Sequence, residues 1–143
     1  MGIQPGKQAK KDEGNESSMK IDKPVSIELK GDAEEAYEKL NSVIGQQKAE
    51  GKENSDEIKL WNGIQRAFDL IKENPFYGEN AKKDLIPRYY RDQYGAKNLF
   101  IVDLPFFWRM IYTLESDKIE IIAFILDIFT HKDYDKRFGF KKR

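Results

Sequence analysis

The chain has 143 residues, no cysteine, and 25 basic against 25 acidic residues. Hydrophobic residues make up 39% and charged residues 35%, with a mean hydropathy of −0.75, which predicts one soluble domain with a single core. This composition excludes disulfides and thiolate metal sites, and no stretch approaches the roughly 20 apolar residues of a membrane helix. We therefore expect a cytoplasmic protein with no membrane partner.

The first part of the chain predicts a tail, a strand and a helix. Residues 1–23 are rich in Gly, Lys, Glu, Ser and Asn without an apolar period, which predicts a disordered tail before a folded domain at 24–143. Alternation at residues 25–29 predicts a short, half-buried strand. Asp32 followed by Glu35 is typical of a capping box. The helical stripe that follows is Ala36, Leu40, Val43 and Ile44.

A second helix is expected after a polar loop at residues 51–54. Asn54 or Ser55 is expected to cap it, and Asn74-Pro75 predicts its end. Its apolar stripe is Ile58, Trp61, Ile64, Phe68 and Ile71. Two helices joined by a short loop predict an antiparallel hairpin whose apolar faces need a sheet to pack on.

The C-terminal half predicts that sheet. A long connection over residues 77–96 leads to three strand-like runs at 98–103, 106–114 and 119–129, with a turn at Leu104-Pro105 between the first two. A basic tail is expected over residues 136–143. The predicted fold is therefore α+β, with an N-terminal α-helical hairpin packed on a small antiparallel sheet of three to four strands.

Arg109 is the first candidate for a functional residue. Alternation along its strand places Arg109 and Ile111 on one face and Met110 on the other. An arginine among apolar neighbours needs solvent, an anion or a carboxylate, because an unpaired buried guanidinium is costly. The sequence leaves open whether the partner is a phosphate or a carboxylate such as Asp103 or Asp127.

His131, the only histidine, is the second candidate. A histidine can take or give a proton at cytoplasmic pH, and Tyr134 lies three residues further on. RNA cleavage needs a base for the 2′-hydroxyl and an acid for the leaving 5′-oxygen. The other interpretation is a surface or helix-capping histidine. Because one histidine and scattered carboxylates lack metal-ligand spacing, we expect no metal and no cofactor.

Basic and aromatic residues alternate in the predicted connection and near the C-terminus. Cations hold phosphates and tyrosines stack on unpaired bases, which is typical of single-stranded RNA recognition. Tyr89, Tyr90 and Tyr94 could instead pin a solvated loop to the helices. The RNA-binding candidates are Lys82, Lys83, Arg88, Arg91, Lys97, Lys132, Lys136 and Arg137. Basic residues are in excess over residues 80–109 and 131–143 and acidic ones over 30–73, which suits a polyanionic partner.

A set of short motifs follows in a fixed order between Ser55 and Phe140. They are Asn74-Pro75, Leu85-Ile86-Pro87, Asn98-Leu99-Phe100, Leu104-Pro105, Trp108-Arg109-Met110-Ile111-Tyr112-Thr113-Leu114, Ile125-Leu126-Asp127 and His131-Lys132-Asp133-Tyr134-Asp135. In order and spacing they resemble the RelE/ParE superfamily of type II toxins, small proteins encoded beside an antitoxin. The resemblance implies the compact, microbial-ribonuclease-like fold of these toxins.

The resemblance also implies a function. It implies an mRNA endonuclease that acts in the ribosomal A site by metal-independent attack of a 2′-hydroxyl and arrests growth when expressed. Arg109 would contact the scissile phosphate, and His131 and Tyr134 would take acid–base or positioning roles. The implied partners are a cognate antitoxin protein, in a toxin–antitoxin hetero-oligomer, and the ribosome with its mRNA.

One departure favours a different function. RelE-type ribonucleases carry two basic residues on the strand before the arginine strand, and these positions fall at Phe100 and Val102 here. Neither side chain can act as a base. The alternative is a toxin-fold binding protein without ribonuclease activity, either a ParE-like gyrase inhibitor or a decayed toxin that only binds an antitoxin.

Overall fold

The computed structural model describes residues 23–139. In chain order the elements are β1 (Val25–Leu29), α1 (Gly31–Ala49), α2 (Asp56–Glu73), β2 (Glu79–Asn80), α3 (Arg88–Tyr94), β3 (Phe100–Leu104), β4 (Trp108–Ser116), β5 (Ile121–Thr130) and α4 (His131–Phe138), with 3₁₀ turns at Lys83–Leu85 and Pro105–Phe107. The α+β class is confirmed. Within residues 23–139 no helix has the length and apolar character needed to cross a membrane. Residues 1–22 of the predicted disordered tail, and 140–143 of the predicted basic tail, lie outside the described residues.

The strands form one sheet in the order β1-β5-β4-β3-β2. It therefore has five strands rather than the expected three to four. The pairs β2–β3, β3–β4 and β4–β5 are antiparallel, whereas β1 runs parallel to β5. The sequence could not show this, because β2 is too short to carry an alternating pattern and the partner of β1 comes at the far end of the chain.

Helices pack on both faces of the sheet. The α1–α2 face carries Phe100, Val102, Met110 and Tyr112, which pack with residues of both helices. The opposite, α3–α4 face carries Ile111 and Leu126, which pack with Tyr90 of α3 and Tyr134 of α4. The predicted separation of Ile111 from Met110 by strand alternation is confirmed.

The two long helices begin in different ways. Ser55 caps α2 as expected, since its Oγ accepts a hydrogen bond from the N–H of Ile58 at 3.1 Å, and α2 ends at Glu73, before Asn74. The predicted capping box at α1 is wrong. The helix begins at Gly31 after Lys30, whose side chain makes no capping bond, so Asp32 already lies within the first turn.

Two segments expected to be irregular contain helices. The predicted connection over residues 77–96 includes β2 and α3, and residues 136–138 of the predicted basic tail belong to α4. Thr130 caps α4, because its Oγ1 accepts a hydrogen bond from the N–H of Asp133 at 3.2 Å. Tyr134 and Phe138, four residues apart on this short helix, both pack in the core of the α3–α4 face.

Gly63 marks a close contact between α2 and the turn before β4. A Cβ at this position would lie 2.5 Å from Cδ of Pro105, and a proline ring cannot rotate away. Replacing a glycine by alanine inside a helix usually stabilises by about 0.5–1 kcal/mol. We expect Gly63→Ala instead to destabilise by about 1–3 kcal/mol through overpacking.

Gly45→Ala in α1 is the matched control, because a Cβ there meets nothing within 4 Å and the variant should gain stability. Urea unfolding followed by circular dichroism compares the two variants with the wild type. A gain of equal size in both variants would contradict the close packing of α2 on Pro105.

Candidate functional site

The candidate residues meet where β4 begins and β5 ends. Arg109, the second residue of β4, lies opposite Asp103 of β3 and Phe129 of β5. Thr130 ends β5 and His131 begins α4 without an intervening loop. The helix therefore starts at the end of the sheet where Arg109 lies.

Arg109 is held from two directions. Its Nε donates a hydrogen bond to Oδ1 of Asp103 at 2.9 Å, and its guanidinium carbon lies 4.3 Å from the centre of the Tyr134 ring. The side chain of Arg109 is 26% exposed and that of Asp103 is 82% exposed. Of the two carboxylates considered as partners, Asp103 is the one that pairs with Arg109. Because such exposed pairs are worth only about 0.2–1 kcal/mol, an incoming phosphate can compete with Asp103.

Tyr134 lies at the centre of the site. Its buried ring stacks on Phe138 with centroids 4.3 Å apart and lies 6.0 Å from the ring of His131. Burial raises the pKa of the Tyr134 hydroxyl, Arg109 opposes this rise and Glu79 adds to it. The hydroxyl is therefore protonated at neutral pH, which suits a proton donor or a positioning group rather than a base.

His131 remains accessible at the start of α4. Its Nε2 lies 3.4 Å from Oδ1 of Asp135, and its side chain is 45% exposed. Asp135 lies one turn further along the helix and would form an ion pair with a protonated imidazole. The structure thus brings together the three predicted catalytic residues, because Arg109 and His131 both neighbour the ring of Tyr134.

The positions that raised doubt about catalysis do not belong to the site. Phe100 and Val102 are 3% and 5% exposed and pack on the α1–α2 face. On β3 the side chains that share the face of Arg109 are those of Ile101 and Asp103. The apolar residues at 100 and 102 therefore contribute to core packing, and their bearing on activity stays a prediction. The ionisable side chain that β3 places beside Arg109 is a carboxylate, that of Asp103.

Most of the predicted RNA-binding cations are exposed. They are Lys82, Lys83, Arg88, Arg91, Lys97, Lys132 and Lys136. They lie at the 3₁₀ turn after β2, on α3, in the loop before β3 and on α4. Arg88 pairs with Asp92 at 3.3 Å, but both side chains are largely exposed, so this pair does not remove Arg88 from the cationic surface.

Arg137 is the exception among the predicted RNA-binding residues. Its Nη1 donates a hydrogen bond to Oδ2 of Asp127 at 3.1 Å, and its guanidinium carbon lies 3.7 Å from the centre of the Tyr89 ring. The hydroxyl of Tyr90 donates to the same carboxylate oxygen at 2.7 Å. Arg137 therefore joins α4 to β5 and α3, and the structure gives it a role in packing the fold.

A β-bulge brings Asp127 to this position. Ile111 lies opposite Asp127 while the next residue, Tyr112, lies opposite Ile125, so Leu126 is the extra residue on β5. Asp127 is 4% exposed. Burial raises the pKa of its carboxyl, and Tyr90 and Arg137 oppose the rise.

The tyrosines of the basic segment pack inward. Tyr90 is 0% exposed, and the rings of Tyr89 and Tyr94 lie against one another with centroids 6.3 Å apart. Tyr90 cannot stack on a base, and it anchors α3 to the sheet through Asp127. The interpretation that tyrosines pin this segment to the fold is therefore the one that the structure supports for Tyr90.

Within residues 23–139 no three His, Asp or Glu side chains are grouped so that they could hold a metal ion. Comparison with protein-family models, with characterised proteins and with solved structures finds no match for this chain. The relationship to RelE/ParE toxins therefore stays a prediction based on the motifs.

Proposed function

We propose that this protein is a cytoplasmic toxin of the RelE/ParE type that cleaves mRNA on the ribosome without a metal ion. The observation that carries the proposal is the meeting of Arg109 and His131 around Tyr134 at an open end of the sheet. Two successive helices before antiparallel strands support a RelE-like arrangement, which β1 and β2 extend at the two edges. An antitoxin that covers this end of the sheet is the expected partner.

The chemistry assigns a role to each side chain. Arg109 would leave Asp103 and hold the phosphate oxygens, because a guanidinium stays charged and can bind two oxygens at once. His131 would take the proton of the 2′-hydroxyl as this oxygen attacks phosphorus. Tyr134, protonated at neutral pH, would supply a proton to the 5′-oxygen as its bond to phosphorus breaks. The products are a 2′,3′-cyclic phosphate and a 5′-hydroxyl.

The surroundings of the site provide contacts for the rest of the RNA. Lys132 and Lys136 are exposed on the helix that carries His131 and Tyr134, and Lys82 and Lys83 are exposed beyond β2. Lysines that hold phosphates give affinity without sequence preference. This fits a mechanism in which the ribosome, rather than the protein, positions the mRNA at the site.

One observation favours a second candidate function. Arg109 already has a carboxylate partner, and β3 supplies no lysine, arginine or histidine beside it. A binding protein with the toxin fold, acting on gyrase or held only by an antitoxin, would need no base at this site.

Primer extension on a translated mRNA, with and without ribosomes, tests the proposal. We expect cuts only when ribosomes are present, and a 2′,3′-cyclic phosphate at the new 3′ end, since a 2′-hydroxyl is the nucleophile. An intact message together with inhibited DNA supercoiling would select the gyrase inhibitor. An intact message with normal supercoiling would leave the decayed toxin, whose remaining activity is antitoxin binding.

A further inference from the structure

The turn between β3 and β4 holds a phenylalanine in solvent. Phe107 is 82% exposed and Phe106 is 45% exposed. Both have a φ of 62°, a left-handed conformation that costs a residue other than glycine roughly 1–2 kcal/mol. Phe107 is therefore not needed at this position for core packing, and the backbone conformation there does not favour a phenylalanine.

The turn itself is firmly attached to the fold. Leu104 before it is buried, and Pro105 lies so close to Gly63 of α2 that no Cβ fits between them. Trp108 after it is half-buried and pairs with Thr130 of β5. The backbone that carries Phe107 is therefore held in one place relative to the sheet.

Phe107 lies next to the candidate site. It is two residues from Arg109, so their Cα atoms are at most about 7.6 Å apart. The side chains of Asp103 and Arg109, which pair with each other, bring charge to this end of the sheet. Phe106 adds a second partly exposed ring to this turn, and an arginine beside exposed aromatic rings is the combination that binds single-stranded nucleic acids.

We infer that Phe107 stacks on an unpaired base of the RNA substrate, next to the phosphate that Arg109 holds. This inference rests on the proposed function. A base and its phosphate are separated by one ribose, so a ring two residues from a phosphate-binding arginine is within reach of the adjoining base. Stacking on an aromatic side chain is worth about 1–3 kcal/mol per base and tolerates any base, which suits an enzyme that acts on many messages.

Binding of a fluorescently labelled single-stranded RNA, blocked against cleavage by 2′-O-methyl groups, tests the inference. We expect Phe107→Ala to raise Kd about 5- to 100-fold, the equivalent of one lost stack, and Phe107→Tyr to stay within about twofold of the wild type. Phe76→Ala is the matched control, since Phe76 is 56% exposed but lies against Phe100 at the other end of β3. Its Kd should not change.

A series of RNAs with a single abasic nucleotide at successive positions locates the stacked base. At that position the wild type should lose affinity, whereas Phe107→Ala should show no further loss. Equal binding of wild type and Phe107→Ala would overturn the inference and leave the proposed function intact. No binding of free RNA by the wild type would overturn the inference alone, because the proposed function is tested separately by cleavage on the ribosome. Loss of a protein partner without a change in RNA affinity would also overturn only the inference.

Discussion

Replacing Asp127 by alanine is expected to lower the free energy of unfolding by about 3 kcal/mol. The variant leaves the fully buried Tyr90 hydroxyl without its acceptor, which costs about 1–3 kcal/mol. Arg137 loses its counter-ion as well, but this cost is smaller because the side chain is 26% exposed and can turn towards water. Urea unfolding at neutral pH measures the change.

A double variant separates the hydrogen bond from other effects of the Asp127 substitution. In Asp127→Ala with Tyr90→Phe, donor and acceptor are both absent, so no buried hydroxyl is left without a partner. We expect the double variant to be more stable than the sum of the two single effects predicts. Strictly additive effects would show that the Tyr90–Asp127 contact contributes nothing.

The contribution of Asp127 to the free energy of unfolding should also depend on pH. Burial raises the pKa of Asp127 above its unfolded value of about 3.9. Such a carboxyl contributes stability that is present below the unfolded pKa and is lost as the pH rises through the folded pKa. The advantage of wild type over Asp127→Asn should therefore grow as the pH falls from about 7 to about 4. An advantage that shrinks would mean that Arg137 stabilises the ionised carboxyl more than burial disfavours it.

Replacing Arg109 by alanine is expected to reduce ribosome-dependent cleavage by at least about 100-fold. Removal of one preorganised group that stabilises transition-state charge typically costs this much in kcat. The fold should survive, since the pair with Asp103 is exposed and worth at most about 1 kcal/mol. Arg109→Lys keeps the charge but loses the planar fork that binds two oxygens and stacks on Tyr134, so it should restore only part of the rate.

Arg66→Ala is the matched control, because Arg66 is an exposed arginine on α2, away from the site. Cleavage at the wild-type rate by Arg109→Ala would exclude Arg109 from the reaction.

Asp103→Asn tests the competition between the Asp103 carboxylate and an RNA phosphate for Arg109. It should tighten RNA binding by up to about fivefold, the equivalent of one exposed ion pair, whereas loss of cleavage in Asp103→Asn would mean that this carboxylate acts in the reaction.

Much of the sheet was predictable because strand alternation is a local property. The period of two along β4 correctly separated Ile111 from Met110, and the cap at Ser55 followed from the preference of serine for this position. The parallel partner of β1 was not predictable, because the sequence of neither strand indicates which distant segment it pairs with. Strand alternation predicts that Phe100 and Val102 share one face of β3, but it does not predict which helices cover that face.

The site was predictable in part for similar reasons. Arg109, His131 and Tyr134 became candidates through the motifs that resemble RelE/ParE toxins, and the structure places them together. The ion pair of Arg137 with Asp127 could not be predicted from the sequence. A bulge residue such as Leu126 is indistinguishable from its neighbours within an apolar run, so the sequence did not show which face Asp127 would occupy. The spacing of Tyr134, Arg137 and Phe138 at helical intervals was the available signal that residues 136–138 belong to a helix.

The parallel pairing of β1 with β5 has a consequence for synthesis of the chain. Val25 finds its partner at Ile121, and a contact of such span forms late, because the entropy of closing the loop opposes it. Until β5 has left the ribosome, α1 and α2 have no complete sheet to pack on, and α4 with His131 and Tyr134 is made later still. The complete fold, and with it the proposed activity, can therefore form only after α4 has been translated. This delay would give the proposed antitoxin time to be present first.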